Sequence, residues 1–139
     1  VITYFDTSIL IKLVVNDEPY RPQSERLWLD SDYVICAEIG YMEARTALAA
    51  ARRGERLDAA ALRTARDQLA LLWEQVSIVV VDTALVQAAG DLAERGGLRG
   101  HDAVHLAAAI TAQATVVASA DRQLAEAARR SGLSVAAPA

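Results

Sequence analysis

The sequence predicts a single α/β domain, spanning residues 1–139, built on a parallel sheet of four or five strands. Three observations lead there. Short β-branched runs alternate with longer segments rich in alanine, leucine and arginine, the pattern of repeated strand–helix units. The short runs are continuously apolar instead of alternating, which suits strands covered on both faces, as in a parallel sheet. A chain of 139 residues that is 53% hydrophobic and 23% charged is an ordinary globular composition with enough length for a real core.

The elements follow in order. VITYF (1–5) is β-branched and aromatic, hence a strand, and a helical stretch over 7–15 follows it. A second helix is expected over 20–30, then a short strand DYVICA (32–37). Helices over 37–53 and 58–74 are separated by Gly54, with Asp58 as the cap of the second. VSIVVV (76–81) is the strongest strand by composition. A helix over 83–96, a loop with Gly96, Gly97 and Gly100, and a helix over 102–113 come next. ATVVAS (114–119) is a further strand, 121–131 a last helix closed by Gly132, and LSVAA (133–137) a weak edge. There is no repeat, low-complexity tract or linker.

The net charge of −4 argues against a simple basic nucleic-acid or membrane-surface binder, though not against a nuclease whose metal ions meet the phosphates. Cys36 is the only cysteine, so no internal disulfide forms, and its place in YVICA suits a buried, inert thiol. Lys12 is the only lysine; the other basic residues are arginines. No basic leader and no apolar stretch near the roughly 20 residues of a membrane span is present, so a cytoplasmic location without a membrane partner is expected.

In a parallel sheet, function gathers at the carboxyl ends of the strands. Asp6 follows the first strand, Asp121 follows the fourth two residues after Ser119, and Asp102 opens the helix HDAVHLAAAI. Each also suits a helix cap, and Asp82 after VSIVVV is read as a cap only. Glu43 lies inside a helix. At about a hundred degrees per residue it shares an arc with Ile39, Met42, Thr46, Ala47 and Ala50, away from Glu38, Tyr41, Arg45 and Arg52. An acid on that less charged arc needs a partner, unless it sits at the margin facing solvent.

The ordered set strand-Asp-Thr-Ser, a mid-helix Glu before Ala-Leu, LRGHDAVHLAAA, then a strand ending Ser-x-Asp resembles a PIN-domain ribonuclease, and within that family a VapC-type toxin of a toxin–antitoxin pair. The resemblance runs from FDTSIL to SADRQL, with LRGHDAVHLAAA the most specific piece. It implies an α/β/α sandwich and a metal-dependent endoribonuclease. Its acidic cluster falls on Asp6, Glu43, Asp102 and Asp121, with Ser119, Thr7 and Ser8 in support. Glu43 is preferred to Glu38 by the following Ala47-Leu48, and Asp121 matches the family's most variable position. Mg²⁺, with Mn²⁺ as substitute, is the implied cofactor, since hard divalent ions take oxygen ligands and activate water for phosphodiester hydrolysis. RNA, a protein antitoxin and a second copy of the chain are the implied partners. Arg99 and Arg122 adjoin Asp102 and Asp121 and are expected to meet flanking phosphates, with Arg45, Arg52 and Arg53 weaker. Leu27, Trp28, Leu29 and Trp73 are either core or a groove for an antitoxin helix.

Other readings fit less of the chain. HDAVH (101–105) resembles a zinc-peptidase helix but has a shorter acid and no third ligand, so His101 is expected to be minor and His105 to act through helix packing. Asp6-Thr7-Ser8 lacks the second acid of a haloacid-dehalogenase-like phosphatase. A phosphoacceptor receiver on Asp82 lacks paired acids after the first strand and a lysine after the fifth. A catalytically silent PIN-fold binding module is opposed by the presence of all four acids.

Overall fold

Five parallel strands run through the centre of the computed structural model in the order β3-β2-β1-β4-β5. It describes residues 1–138, so the last residue of the expected 1–139 unit lies outside the described residues. The strands are β1 (Ile2–Phe5), β2 (Tyr33–Ala37), β3 (Ser77–Val79), β4 (Val116–Ala118) and β5 (Ser134–Ala136). The helices are α1 (Thr7–Val14), α2 (Arg21–Asp30), α3 (Ile39–Arg53), α4 (Ala59–Glu74), α5 (Thr83–Gly96), α6 (Gly100–Thr111) and α7 (Arg122–Arg130).

β1 is central because its side chains suit burial on both faces: Tyr4 and Phe5 are wholly buried. It pairs with β2 through Tyr4–Ile35 and with β4 through Tyr4–Val117. Helices α1 to α4 pack on one another and α5 to α7 form a second set, so the sheet is flanked by helices as the sandwich requires. Ile9 and Leu10 of α1, Leu48 of α3, Leu69 of α4, Leu106 of α6 and Leu124 of α7 complete the core.

Two features depart from the sequence reading. VSIVVV, the strongest strand by composition, yields only the three-residue edge strand β3, and Ile78 and Val80 are exposed. A continuous apolar run signals burial only when both flanks are covered, and β3 pairs with β2 alone. On α3 the buried positions are Gly40, Ala44, Leu48 and Ala51, while Met42 and Thr46 are exposed. The alanine-rich helix has too little amphipathic contrast to fix its own rotation, and packing sets it instead.

That packing is close at one point. A Cβ on Gly40 would stand 2.4 Å from Cys36 Sγ and 3.5 Å from the Trp73 ring. Only glycine lets α3 settle onto the end of β2. Lys12, the single lysine, is buried in α1, where Nζ donates to the Pro19 carbonyl at 3.1 Å and pairs with Glu18 at 3.7 Å. No helix among the described residues is long and apolar enough to cross a membrane.

Candidate acidic site

Because every strand is parallel, β1 and its neighbour β4 deliver their following residues to one edge of the sheet. Asp6 leaves β1 and caps α1, accepting from Ile9 N at 3.3 Å. The two oxygens of Asp6 are shared out: Oδ1 accepts from Ser8 Oγ and Oδ2 from Ser119 Oγ. Ser119 also receives Asp121 N at 3.0 Å, and Ser8 receives Ala120 N at 3.0 Å. The two hydroxyls thus stitch the turn after β4 to the turn after β1. Burial pushes the Asp6 carboxyl up, and the bonds from Ser119 and Ser8 only partly offset it.

Asp121 caps α7, accepting from Gln123 N at 2.9 Å and Leu124 N at 3.1 Å through Oδ1. Its other oxygen meets Arg99 Nη2 at 3.0 Å, and the same arginine reaches Asp102 Oδ2 at 3.0 Å. Helix α6 starts two residues earlier than the sequence suggests, so the buried Asp102 stands in its first turn and not at its cap. Asp6 and Asp121 are therefore both caps and members of the acidic edge; the two readings of these residues are compatible. Asp82 is a cap alone, accepting from Leu85 N at 2.9 Å beside the edge strand β3.

Glu43 is half-buried on α3. Its Oε1 accepts from Thr7 Oγ1 at 3.0 Å and lies 2.5 Å from His105 Nε2. Burial pushes the Glu43 carboxyl up, but the neighbouring imidazole and the Thr7 hydroxyl outweigh it, leaving the group below its ordinary value. His105 does more than pack α6. Its Nδ1 lies 2.5 Å from the buried Tyr4 Oη, which itself accepts from Ala37 N at 3.0 Å. His101 is exposed against Asp102 Oδ1 at 3.4 Å, so the two histidines do not converge as a zinc pair.

The structure thus links Asp6, Ser119, Asp121, Arg99 and Asp102 in one chain of contacts, and Thr7, Glu43, His105 and Tyr4 in a second. Thr7, next to Asp6, joins the two. The donor set is carboxylate oxygen supported by hydroxyls, without a thiol, which fits a hard divalent cation. The acids are nonetheless spread: among the described residues no three Asp, Glu, His or Cys side chains gather closely enough to hold an ion. Arg99 supplies positive charge between Asp102 and Asp121 instead of standing free on the rim. Arg122 is exposed and lines a cleft of about 350 Å³ with Ser119, Asp121 and Arg129. Arg45, Arg52 and Arg53 lie exposed on α3. Leu29 is exposed on α2, whereas Leu27, Trp28 and Trp73 are half-buried, Trp28 edge-on to Phe5 and Trp73 beside Tyr41.

Tyr4 and Arg129 escaped the sequence reading, and His105 was expected only to pack its helix. His105 had a signal, since it follows Asp102 by three residues on the same helix face. Tyr4 looked like any core aromatic.

Residues 3–130 match the PIN domain family model. Ribonuclease VapC45 of Mycobacterium tuberculosis is 36% identical over 97% of this chain and 94% of its own length. The solved structure of VapC20 of Mycobacterium tuberculosis, a toxin that cleaves the sarcin-ricin loop, superposes with a TM-score of 0.71 at 19% identity, covering 90% of this chain and 94% of that one. A toxin–antitoxin complex from Klebsiella pneumoniae superposes with a TM-score of 0.68 at 17% identity, covering 99% of this chain and 98% of that one.

Proposed function

The chain belongs to the PIN-domain family, and from that premise we propose that it is the endoribonuclease toxin of a toxin–antitoxin pair, hydrolysing RNA phosphodiester bonds at the acidic edge. The observation that carries this reading is the pair of contact chains at one sheet edge, Asp6–Ser119–Asp121–Arg99–Asp102 and Thr7–Glu43–His105, which adjoin at the neighbouring Asp6 and Thr7 and hold each of the four carboxylates by a named donor. The relative named a ribonuclease, similar along nearly the whole chain, supports it.

Asp6, Glu43, Asp102 and Asp121 are the side chains that would hold Mg²⁺ or Mn²⁺. When bound, such an ion supplies charge stabilisation at the scissile phosphate and a more acidic attacking water. Ser119 and Ser8 fix both oxygens of Asp6, and Thr7 fixes Glu43, so the acids need little reorganisation. Arg122 and Arg129 share a cleft with Asp121, alone of the four acids, and suit a phosphate flanking the cut. Arg99, paired with Asp102 and Asp121, adds a further positive charge next to that cleft.

The partners that follow from this reading are RNA, a protein antitoxin and a second copy of the chain. The exposed Leu29 and half-buried Trp28 on α2 are candidate contacts for an antitoxin helix.

The test is cleavage of a panel of purified transfer and ribosomal RNAs with Mg²⁺, with Mn²⁺ and with chelator. Discrete metal-dependent cuts that Asp6→Asn abolishes are expected. Equal cutting by folded Asp6→Asn protein removes the acidic edge as the active site.

A further inference from the structure

Tyr4 and His105 sit behind Glu43, from β1 and α6, and the geometry of their hydrogen bonds has a direction. Ala37 N donates to Tyr4 Oη at 3.0 Å, so the phenol oxygen is already an acceptor. Its single proton then points to its nearest acceptor, His105 Nδ1, at 2.5 Å. An Nδ1 that accepts has no hydrogen of its own, so the ring carries it on Nε2, the atom 2.5 Å from Glu43 Oε1. The ring cannot turn: it is buried, and it meets Tyr4 edge-on at 5.7 Å with 71° between planes.

Glu43 Oε1 therefore has two donors, His105 and Thr7. Among the described residues Oε2 accepts from none. A glutamate has three side-chain torsions, and fixing one oxygen from two directions removes most of their freedom.

We infer that Tyr4 and His105 are positioning residues for Glu43: the phenol fixes His105 as its Nε2–H tautomer, and that N–H holds Oε1 so that Oε2 is the oxygen left for a cation or an attacking water. This rests on the reading of Glu43 as a member of the active acidic edge.

The first measurement is ¹⁵N NMR of the imidazole in metal-free wild-type protein. Nδ1 without a proton and Nε2 with one is the expected result. A proton on Nδ1 alone, or on both nitrogens, overturns the assignment. In Tyr4→Phe the Nδ1 loses its donor, so its ¹⁵N shift should move while Nε2 keeps its proton toward Glu43; an unchanged Nδ1 overturns the role of the phenol.

The second measurement is calorimetric titration of Mn²⁺ into the intact protein. His105→Leu keeps bulk and removes the donor, and should weaken Mn²⁺ by about ten- to a hundredfold, the usual loss when an outer hydrogen-bond partner of a ligand is removed. His105→Gln restores an N–H near the Nε2 position and should recover most of that loss, which a role in packing alone does not explain. Wild-type Mn²⁺ affinity in folded His105→Leu overturns the proposal. If His105→Leu does not fold, the wild-type ring and the Tyr4→Phe ring still decide it.

RNA cleavage is the third readout, with kcat expected to fall in His105→Leu and KM to hold. A wild-type protein that cuts no RNA defeats the ribonuclease reading and leaves the NMR and Mn²⁺ results standing on their own.

Discussion

Asp6 and Glu43 respond to pH in opposite senses, although both are acids drawn out of water. Burial dominates at Asp6, and its hydroxyl and amide donors do not make up the loss, so its folded value lies above the ordinary 3.8. Such a group binds its proton more tightly folded than unfolded. Ionising it costs stability, and the cost sets in as pH rises past the unfolded value. Asp6→Asn should therefore melt higher than wild type at neutral pH, with the gap closing in acid, where both forms are uncharged. Thermal melts from pH 3 to pH 8 without metal check this, and a constant gap would place the cause elsewhere. At Glu43 burial also raises the carboxyl, but His105 and Thr7 more than reverse it. Its contribution is present above the ordinary value of 4.5 and is lost as pH falls through the folded value. Arg99 makes a third residue-scale case. It pairs with Asp102 and Asp121 from an exposed position, so the pairs are individually weak. Arg99→Gln should tighten Mn²⁺ binding by roughly two- to fivefold, the equivalent of about 0.5–1 kcal/mol. Titration at constant ionic strength measures it, and weaker binding would show that Arg99 does not compete with the ion.

At the scale of elements, the seat of α3 on β2 depends on the missing side chain at Gly40. Gly40→Ala forces a methyl against Cys36 Sγ, and overpacking of this kind costs about 1–3 kcal/mol. Urea denaturation should show that loss, and Cys36→Ala should relieve part of it in the double variant. Simple additivity would mean that the two residues do not press on each other. Helix caps give a control. Asp82→Ala should cost about 1 kcal/mol of stability and leave RNA cleavage at the wild-type rate, whereas a loss at Asp121 should affect both. The elements themselves were legible in the sequence. Caps such as Asp58 and apolar runs such as VITYF signal locally, and the structure follows them within a residue or two. What was not legible was rank and rotation. VSIVVV reads as more buried than VITYF, yet the first became an edge and the second the centre, because strand order is set by how crossovers pack. The rotation of α3 likewise comes from Gly40 meeting Cys36, a contact invisible in a run of alanines.

Across the whole molecule, the four acids were read as a set from the resemblance, and the parallel sheet accounts by itself only for Asp6 and Asp121, which follow β1 and β4. The acids' holders were not legible. That Tyr4 reaches His105, or that Arg99 spans two acids, depends on distances between elements a hundred or twenty residues apart. The edge also sets how a partner would act. A basic side chain from an antitoxin, entering where Arg99 lies, would compete with the metal for Asp102. High Mn²⁺ should then weaken antitoxin binding, and Asp102→Asn should weaken it as well, by the roughly 2–5 kcal/mol typical of breaking a buried charge pair. Titration of the partner at low and high Mn²⁺ with ionic strength fixed is the check. Equal affinity in both, together with full affinity in the variant, would put the contact elsewhere.

The Asp6–Ser119 bond spans 113 positions of the chain. A ribosome delivers Asp6 first and Ser119 much later, and β1 has only β2 beside it until β4 emerges to take its place at Thr3–Val116. An unfinished polypeptide therefore carries its first acid with neither the hydroxyl that orients it nor the strand that buries it. On the reading proposed above, synthesis itself becomes a safety interval: the acidic edge stays incomplete until the turn after β4 has been made and Ser119 can reach Asp6.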